Sequence, residues 1–383
     1  MKKSLRVIGS KSYSHRVLFL NALTGNKGQI ININEGDDVK TTSSILSSID
    51  YSKNEIIIDV HDSATTLRML MPYLSAKFEK VTFKLGPSLM KRSFIEVENF
   101  YKRYNVDFLH NGDHIIVNRF CFKDEMIFDF SYSSQFLSGL IIASAFLNKD
   151  KTVINLVGKQ VSFSYINITQ DVLNHYGIKI NISNNRIVVY PFEKLQMDFD
   201  YEIEGDWSSA ANFILYGLNK EDVLLNNMSF DSYQGDRNLL SIIPSNLYEF
   251  INGDLLIHKG LIEGFNFDLE NNIDLGPVII GMAMFAKSEC HIYSIKRLRN
   301  KESNRLLLME KLMNHLNVAY EEKENELIVK PSKIIYDNKV VDTGNDHRII
   351  MICKILQKLG YELVLNFEDG IVKSDPGFNE RLG

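Results

Sequence analysis

Four cations flank one carboxylate in the stretch Arg297-Leu298-Arg299-Asn300-Lys301-Glu302-Ser303-Asn304-Arg305, which stands directly before the apolar run 306–308. If this stretch enters a helix, Lys301, Glu302 and Arg305 lie near one face, because residues three and four apart are neighbours on a helix. Glu302 is then a candidate acid or base among anion-binding groups. The alternative is a solvated face whose Glu302–Arg305 ion pair stabilises the helix by only about a few tenths of a kcal/mol.

Small polar residues stand before an apolar, helix-like run at six other places in the chain. These places are 9–16, 62–68, 131–135, 204–209, 274–277 and 344–348. The unpaired N–H groups and the dipole of a helix start favour an anion, and Lys11, Arg16 and Arg68 add formal charge. Ordinary helix capping is the alternative role of these motifs. A Walker loop is excluded at 9–16, because the GxxxxGK[ST] spacing is absent.

Strand-like runs separate these helix starts, which mostly fall about 70 residues apart. The predicted strands are 55–60, 114–117, 152–157, 187–190, 255–257, 291–295, 327–329 and 363–365. Amphipathic helices are predicted at 165–176 and 306–316. The pattern is a six-fold supersecondary repeat, although a weak one in sequence. It suggests two halves of three units each, joined near Glu204.

The bulk properties of the chain limit its class. A length of 383 residues exceeds the usual size of one hydrophobic core, so two domains are expected. The net charge of -5 argues against a general nucleic-acid binder, which would carry a basic excess. The three cysteines are far apart without a CxxC spacing, which indicates neither a zinc site nor a disulfide framework. No apolar run suits a signal peptide or a membrane span, and a cytoplasmic protein is expected.

Taken in order, the polar motifs resemble those of the enolpyruvyl transferases over nearly the whole chain. The residues that carry the resemblance are Gly9-Ser10-Lys11-Ser12 with Arg16, the run 62–68, Lys91-Arg92, Ser133-Ser134-Gln135, Glu204-Gly205-Asp206, Asp274, Arg299-Asn300-Lys301-Glu302 with Arg305, and Asp346-His347-Arg348. No single motif is decisive. Their joint order is highly specific.

The resemblance implies an α/β fold of two domains. Each domain is expected to contain three βαβαββ repeats, with helix N-termini that face the interdomain cleft. Residues 12–203 would form an N-terminal domain on the shikimate 3-phosphate side. Residues 1–11 and 204–383 would form a C-terminal domain on the acid/base and phosphoenolpyruvate side, so that the chain crosses twice.

The same resemblance implies transfer of the enolpyruvyl group of phosphoenolpyruvate to the 5-hydroxyl of shikimate 3-phosphate. Phosphate would leave from a tetrahedral intermediate by addition and elimination, a step of the shikimate pathway to chorismate and the aromatic amino acids. Both substrates carry a phosphate and a carboxylate, which suits a site rich in Arg, Lys and helix N-termini. Neither a metal nor an organic cofactor is implied. The expected protein is a monomer that binds neither nucleic acid nor membrane.

Roles for individual residues follow from the resemblance. Asp274 and Glu302 would supply acid/base chemistry, with Lys11 and Lys373 as alternative proton carriers. The residues expected to bind shikimate 3-phosphate are Lys11, Ser12, Arg16, Ser133, Ser134, Gln135, Ser162, Tyr165, Asp274 and Lys301. The residues expected to bind phosphoenolpyruvate are Lys11, Ala64, Arg68, Arg92, Gln135, Arg305, Arg348 and Lys373.

Five positions depart from the family pattern. Ala64 stands where the family commonly has glycine beside the phosphoenolpyruvate site, and family variants with alanine there are associated with weak inhibition by glyphosate. Ser93 replaces a proline after Arg92, and Phe163-Ser164 replaces a Lys-Pro pair before Tyr165. Asn304 replaces an aspartate before Arg305. The lost prolines remove a fixed φ from two loops.

Two alternatives remain open. A related transferase moves enolpyruvyl to a UDP-amino sugar, but it usually has a cysteine or acid in the loop matching 89–94 and lacks the Ser-Ser-Gln triplet. This chain has the triplet and no cysteine in that loop. A non-catalytic anion-binding relative is the other alternative, although such a protein would be expected to lose part of the acid/base set.

Overall fold

A computed structural model of the chain describes residues 3–131, 133–160 and 162–383. Met1 and Lys2 of the predicted C-terminal domain, together with Tyr132 and Val161, lie outside the described residues. Tyr132 belongs to the polar run 131–135, so that motif is described only in part. No described helix is long and apolar enough to cross a membrane.

The described residues form both helices and strands. The helices are α1 (Lys11–Thr24), α2 (Asp37–Ser48), α3 (Ala64–Lys77), α4 (Ile95–Arg103), α5 (Ser134–Leu147), α6 (Ser164–His175), α7 (Trp207–Asn219), α8 (Gly276–Met284), α9 (Arg305–His315), α10 (His347–Leu359) and α11 (Phe378–Leu382). Short 3-10 helices are Gly235–Ile242, Ser245–Leu247, Ile273–Leu275, Ile295–Asn300 and Asp369–Lys373.

The strands are short, from two to six residues. They are β1 (Lys3–Arg6), β2 (Ile30–Ile31), β3 (Glu55–Asp59), β4 (Lys80–Lys84), β5 (Phe108–Asn111), β6 (His114–Asn118), β7 (Glu125–Asp129), β8 (Thr152–Val157), β9 (Ile180–Ser183), β10 (Arg186–Val189), β11 (Tyr201–Glu202), β12 (Val223–Asn226), β13 (Tyr248–Ile251), β14 (Asp254–Ile257), β15 (Asn266–Asp268), β16 (Cys290–Tyr293), β17 (Tyr320–Lys323), β18 (Glu326–Val329), β19 (Val340–Val341) and β20 (Val364–Leu365).

The chain divides into two compact units. The N-terminal unit contains Lys11–Ile33 and Asp37–Ile203, and the C-terminal unit contains Met1–Ser10, Asn34–Gly36 and Glu204–Gly383. Lys11 therefore groups with the N-terminal unit, and the three residues 34–36 group with the C-terminal unit. Each unit has its own hydrophobic core.

The N-terminal unit contains two four-stranded sheets of the same plan, in the orders β3-β4-β6-β5 and β7-β8-β10-β9. In each sheet the first pair is parallel and the other two are antiparallel. The chain order from β3 to β6, and again from β7 to β10, is βαβαββ. A parallel pair, β2 with β11, completes the unit. In β3, Ile56 and Ile58 are buried between exposed neighbours, so one face of the sheet is covered.

The C-terminal unit repeats this plan. Its four-stranded sheets have the orders β1-β12-β14-β13 and β15-β16-β18-β17, and a parallel pair, β19 with β20, completes the unit. The elements from β15 to β18 run βαβαββ, with α8 and α9 as the two helices. The predicted α/β fold built from βαβαββ repeats is therefore confirmed.

One local prediction was wrong. The strand predicted at 291–295 ends at Tyr293, because Ser294 adopts a left-handed conformation with φ of 61° and a 3-10 helix begins at Ile295. The helix predicted at 306–316 is confirmed as α9, which begins at Arg305, so Lys301 and Glu302 lie before this helix and not within it. The side chain of Asn304 accepts a hydrogen bond from the Leu307 N–H at 3.1 Å and caps the helix there.

A glycine sets the packing of the two central helices of the N-terminal unit. Helix α5 is apolar on all sides and is buried. It packs against α3 at Gly139, where an added Cβ would lie 2.3 Å from the carbonyl oxygen of Met69. Gly281 of α8 occupies a comparable place in the C-terminal unit, but its nearest neighbours would be side-chain methyl groups of Leu215 and Ile352 at 3.2 and 3.4 Å.

We expect Gly139→Ala to destabilise the protein by about 1–3 kcal/mol, because a backbone carbonyl cannot move aside as a side chain can. Gly281→Ala should change stability by less than about 1 kcal/mol, since the strain is offset by the helix propensity of alanine. Urea unfolding of both variants beside wild type measures the difference. Equal effects of the two substitutions would contradict this account of the α3–α5 contact.

Candidate active site

One buried guanidinium binds three carboxylates in the C-terminal unit. Arg305, the first residue of α9, has a side chain only 1% exposed. Its Nη1 lies 2.9 Å from Asp274, its Nη2 lies 2.5 Å from Glu302, and its Nε lies 2.9 Å from Asp346. These partners come from the 3-10 helix before α8, the loop before α9, and the start of α10. The structure thus brings both predicted acid/base carboxylates to one cation.

Two further cations face Asp274. Lys301 Nζ lies 3.3 Å from one of its carboxylate oxygens, and Arg348 Nη2 lies 4.0 Å from the other. Burial alone would raise the pKa of Asp274, but Lys301, Arg348 and Arg305 together hold it well below its usual range. Burial also lowers the pKa of Lys301, against the attraction of Asp274 and Glu302. Asp274 is therefore a carboxylate at neutral pH.

Asp346 fixes this cluster from the second helix. Its carboxylate accepts a hydrogen bond from the Arg348 N–H at 2.9 Å and so caps α10, while its other oxygen binds Arg305 and Ser303. From the sequence, Asp346 was identified only as part of a motif, and no role was predicted for it. Capping residues before an apolar helix are visible in sequence, but their second partner is not.

Asp236 has a buried carboxyl group, and no role was predicted for it from the sequence. It lies in the 3-10 helix Gly235–Ile242 and accepts a hydrogen bond from Ser208 in the first turn of α7. Burial, together with the nearby charge of Asp274, raises the pKa of Asp236 to about 6, against the attraction of Arg348. Its position between a Gly and an Arg gives no sequence signal of this environment.

Lys373 is the last residue of the 3-10 helix Asp369–Lys373, and this short helix packs against α10. Its side chain is half-buried. The carboxylate of Asp375, two residues later, accepts a hydrogen bond from Ser209 at 2.6 Å and pairs with Arg381. The segment that carries Lys373 is thus fastened to the first turn of α7.

In the N-terminal unit, Arg16 is buried among neutral hydrogen-bond acceptors. Its guanidinium donates to the hydroxyls of Thr169 and Ser138, both at 2.8 Å, and to the carbonyls of Ser12 and Tyr165 at 2.6 and 3.0 Å. Burial lowers the pKa of Arg16 to about 10, so the group stays charged at neutral pH. These contacts join α1, α5 and α6. The positive charge has no carboxylate among these four acceptors.

Lys11 is the first residue of α1, and its Nζ lies 3.0 Å from the carboxylate of Asp38 in α2. No role was predicted for Asp38 from the sequence. A doubled aspartate at a helix start, Asp37-Asp38, was the available signal. The Asp38 carbonyl accepts from the Thr66 hydroxyl at 3.2 Å, and that hydroxyl lies 2.7 Å from Thr42. Buried side chains thus connect the starts of α1, α2 and α3.

His15 lies one turn after Lys11 in α1 and contacts the same network of hydroxyl groups. Its Nδ1 lies 2.8 Å from the Thr42 hydroxyl, and its ring is 1% exposed. Burial lowers the pKa of His15 to about 3, so the imidazole is neutral. The capping or surface role that lone histidines usually have does not describe this one, which is a buried member of a hydroxyl network.

The predicted hydroxyl and amide groups meet at two helix starts. Ser133 caps α5 by accepting from the Gln135 N–H at 3.3 Å, and Ser134 is buried. The side-chain amide of Gln135 donates to the Thr65 hydroxyl at 2.9 Å, next to Ala64, the first residue of α3. The starts of α3 and α5 are therefore adjacent.

The remaining predicted residues lie on two helices, α3 and α6, and on the loops before α4 and α6 of the same unit. Arg68 binds Glu96 at 3.1 Å and stacks its guanidinium 5.1 Å from the Phe94 ring. Arg92 lies in the loop between β4 and α4. Ser162 is buried with a positive φ of 57°, just before α6, and Tyr165 follows in the first turn of that helix. Phe163, at a departure from the family pattern, contacts Phe130 with ring centroids 6.0 Å apart.

Within residues 3–131, 133–160 and 162–383, no group of three or more His, Cys, Asp or Glu side chains is arranged to hold a metal ion. The carboxylates of Asp274, Glu302 and Asp346 are each engaged with Arg305. What the arrangement offers is charge of both signs in a buried setting. Such a site can bind an anion and transfer a proton.

We expect Asp236 to make stability fall as the pH rises from about 4 to about 6, because the unfolded chain releases this proton first, near pH 3.9. Relative to wild type, Asp236→Asn should therefore gain stability across that window, by up to about 3 kcal/mol, and show a constant difference above pH 7. Urea unfolding at several pH values measures this. A difference that does not vary between pH 4 and 7 would contradict it.

Comparison with known proteins identifies the family of this chain. The model of one protein family, EPSP synthase (3-phosphoshikimate 1-carboxyvinyltransferase), matches residues 1–55 and 47–382. The 3-phosphoshikimate 1-carboxyvinyltransferase of Clostridium perfringens is 28% identical, over 99% of this chain and 95% of its own. The one from Picrophilus torridus is 30% identical, over 96% of this chain and 92% of its own.

Solved structures share the fold. EPSP synthase from Acinetobacter baumannii superimposes with a TM-score of 0.79 at 18% identity, over 99% of this chain and 94% of its own. The enolpyruvyl transferase NikO from Streptomyces tendae gives a TM-score of 0.73 at 12% identity, over 99% and 93%. The fold is therefore shared with an enolpyruvyl transferase that is not named as an EPSP synthase. On the match of the family model over nearly its full length, this chain belongs to the EPSP synthase family.

Proposed function

We propose that this protein transfers the enolpyruvyl group of phosphoenolpyruvate to the 5-hydroxyl of shikimate 3-phosphate and releases phosphate. The observation that carries the proposal is the binding of Asp274 and Glu302 to one buried guanidinium, beside Lys301 and Arg348. Transfer to a UDP-amino sugar is not favoured, because the family model and the curated relatives bear the name of the shikimate enzyme.

The reaction needs a base for the attacking hydroxyl and a proton for the methylene carbon. Asp274 is assigned to the 5-hydroxyl, since three cations keep its carboxylate ionised and able to accept a hydrogen bond from that group. Glu302 suits proton transfer at the methylene, since it stands at the end of the cluster on the loop before α9. Lys11 and Lys373 are alternative proton carriers. Both carry an ammonium group and lie near helix termini.

Shikimate 3-phosphate would bind to the N-terminal unit. The neutral surroundings of Arg16 support this, because a buried guanidinium whose four described acceptors are uncharged still attracts an anion. Hydroxyls suit the phosphate oxygens and ring hydroxyls. The proposed contacts are Lys11, Ser12, Arg16, Ser133, Ser134, Gln135, Ser162 and Tyr165, with Asp274 and Lys301 from the C-terminal unit.

Phosphoenolpyruvate would be held by a set of cations that includes Arg305. Arg305 uses three of its five N–H groups on carboxylates, and two remain for a ligand. A substrate carboxylate that competes for Nη2 would release Glu302 for proton transfer. The other proposed contacts are Lys11, Ala64, Arg92, Gln135, Arg348 and Lys373, with Arg68 in support.

We extend the proposal to domains and setting. Residues 12–203 would carry the shikimate 3-phosphate side, and residues 1–11 with 204–383 the acid/base and phosphoenolpyruvate side. The protein would act as a cytoplasmic monomer without metal, organic cofactor or nucleic acid. Its cysteines support a reducing compartment, since Cys121, Cys290 and Cys353 are all free thiols.

We expect phosphate release from phosphoenolpyruvate only when shikimate 3-phosphate is present. Glu302→Gln should lower kcat by about 10²–10⁴-fold, because the amide cannot carry the proton. Glu324→Gln, which changes an exposed glutamate with a side chain 88% exposed, should leave kcat unchanged. A continuous phosphate assay measures all three proteins. Tight binding of shikimate 3-phosphate without any phosphate release would instead favour a non-catalytic relative.

We expect weak competition by glyphosate against phosphoenolpyruvate, because the methyl group of the buried Ala64 would intrude on the space proposed for the inhibitor. Ala64→Gly should lower the inhibition constant at least about tenfold, the usual effect of one methyl group in a pocket. Ala286→Gly, at a buried alanine of the C-terminal unit, controls for a general effect of glycine. Tight competitive inhibition of the wild type would contradict the role given to Ala64.

A further inference from the structure

One buried asparagine joins three separate segments of the C-terminal unit. Asn34 is 2% exposed and belongs to the three residues, Asn34–Gly36, that the chain contributes to this unit between β2 and α2. Its side-chain NH2 donates to the carbonyls of Gly9 and Ser374, both at 3.0 Å. Its Oδ1 accepts from the Gly36 N–H at 2.9 Å. Two of the three contacts reach residues distant in sequence.

The network defines the orientation of the amide. Two carbonyl oxygens require the NH2 group, and one backbone N–H requires the oxygen, so a flipped amide would lose all three hydrogen bonds. The Gly36 contact closes a turn of the kind that asparagine commonly forms two residues along its own chain. The two carbonyl contacts do not follow from local turn chemistry.

The same turn packs closely against the backbone of Lys373. A Cβ on Gly36 would lie 2.6 Å from the Lys373 carbonyl oxygen and 2.8 Å from the Ser374 Cα. Only glycine allows this approach. On the other side of the segment, Ser209 donates to Asp375 at 2.6 Å. Residues 373–375 are therefore held between the turn 34–36 and the first turn of α7.

Through its contact with Gly9, Asn34 also binds the segment that follows β1. Gly9 pairs with Gly205 in an isolated β-bridge, and the Ser10 N–H donates to the Glu204 carbonyl at 2.8 Å. Asn34 thus ties the segment that carries Lys373 to a backbone already fixed by hydrogen bonds. A loop held in this way keeps its side chains in one position.

We propose that Asn34 is a positioning residue for Lys373, acting through the backbone of Ser374. This inference rests on the proposed function, in which Lys373 contacts phosphoenolpyruvate. Loss of two buried hydrogen bonds should lower kcat/KM for phosphoenolpyruvate by about 10- to 100-fold in Asn34→Ala. Binding of shikimate 3-phosphate to the N-terminal unit should stay within about twofold, because the two lost donor contacts of Asn34 lie within the C-terminal unit.

Two variants separate the contacts. Asn34→Asp keeps an acceptor for the Gly36 N–H and loses both donors, so it should impair kcat/KM as Asn34→Ala does. Asn32→Gly is the matched control. Asn32 also donates its amide to a carbonyl, that of Ile203 at 3.0 Å, and its φ of 56° suits glycine. It should leave kcat/KM unchanged.

A double-mutant cycle tests whether the effect passes through Lys373. In a Lys373→Met background, adding Asn34→Ala should cost less than about threefold in kcat/KM, because the positioned group is already absent. An equal fold-loss in both backgrounds would overturn the proposal, since a general structural defect acts regardless of Lys373.

Hydrogen–deuterium exchange gives a readout that does not depend on activity. Amides in peptides covering 369–377 should exchange faster in Asn34→Ala and Asn34→Asp than in wild type, and at the wild-type rate in Asn32→Gly. Unchanged exchange in that segment would overturn the proposal. An inactive wild type would count against the proposed function alone, and the exchange result would still decide whether Asn34 anchors the segment.

Discussion

The C-terminal unit depends on the charge balance around Arg305. Its guanidinium binds Asp274, Glu302 and Asp346, and Lys301 and Arg348 bring the count of cations to that of the carboxylates. Removing charges from water is costly, and their mutual attraction offsets the cost only when each group has partners. The cluster therefore joins the starts of α9 and α10 to the helix before α8. None of these segments can move without leaving a buried charge uncompensated.

The two units surround a buried guanidinium in different ways. The cluster of the C-terminal unit contains acids as well as bases, so it can exchange protons. Around Arg16 the acceptors are hydroxyls and carbonyls, which hold the guanidinium rigid without neutralising it. A neutral, polar setting leaves the full attraction for an anion, whereas a setting of paired charges allows proton transfer. This division matches the proposed separation of binding and chemistry.

Sequence patterns predicted the elements well where hydrophobic period and capping coincide. The strand at Thr152–Val157 and the repeat of βαβαββ units were foreseen, because both depend on local order. The pair of Glu302 with Arg305 was also visible at a spacing of three. Asp346 was not, since it lies 41 residues from Arg305. Asn34 and Asp38 stand in an ordinary polar run, and only their distant partners give them a role. The doubled aspartate at 37–38 marks a helix start in the sequence, but it does not reveal the pairing of Asp38 with Lys11.

The C-terminal unit is built from separated segments of the chain, and this affects folding during synthesis. The N-terminal unit is complete once Ile203 has been synthesised, but β1 belongs to the other unit and pairs Lys3 with Val223. At ordinary rates of translation β1 waits roughly 10 to 40 seconds for its partner strand. An unpaired strand can pair wrongly in that time. Its length of four residues, with Lys3 and Arg6 at the ends, makes it a poor template for aggregation on the ribosome.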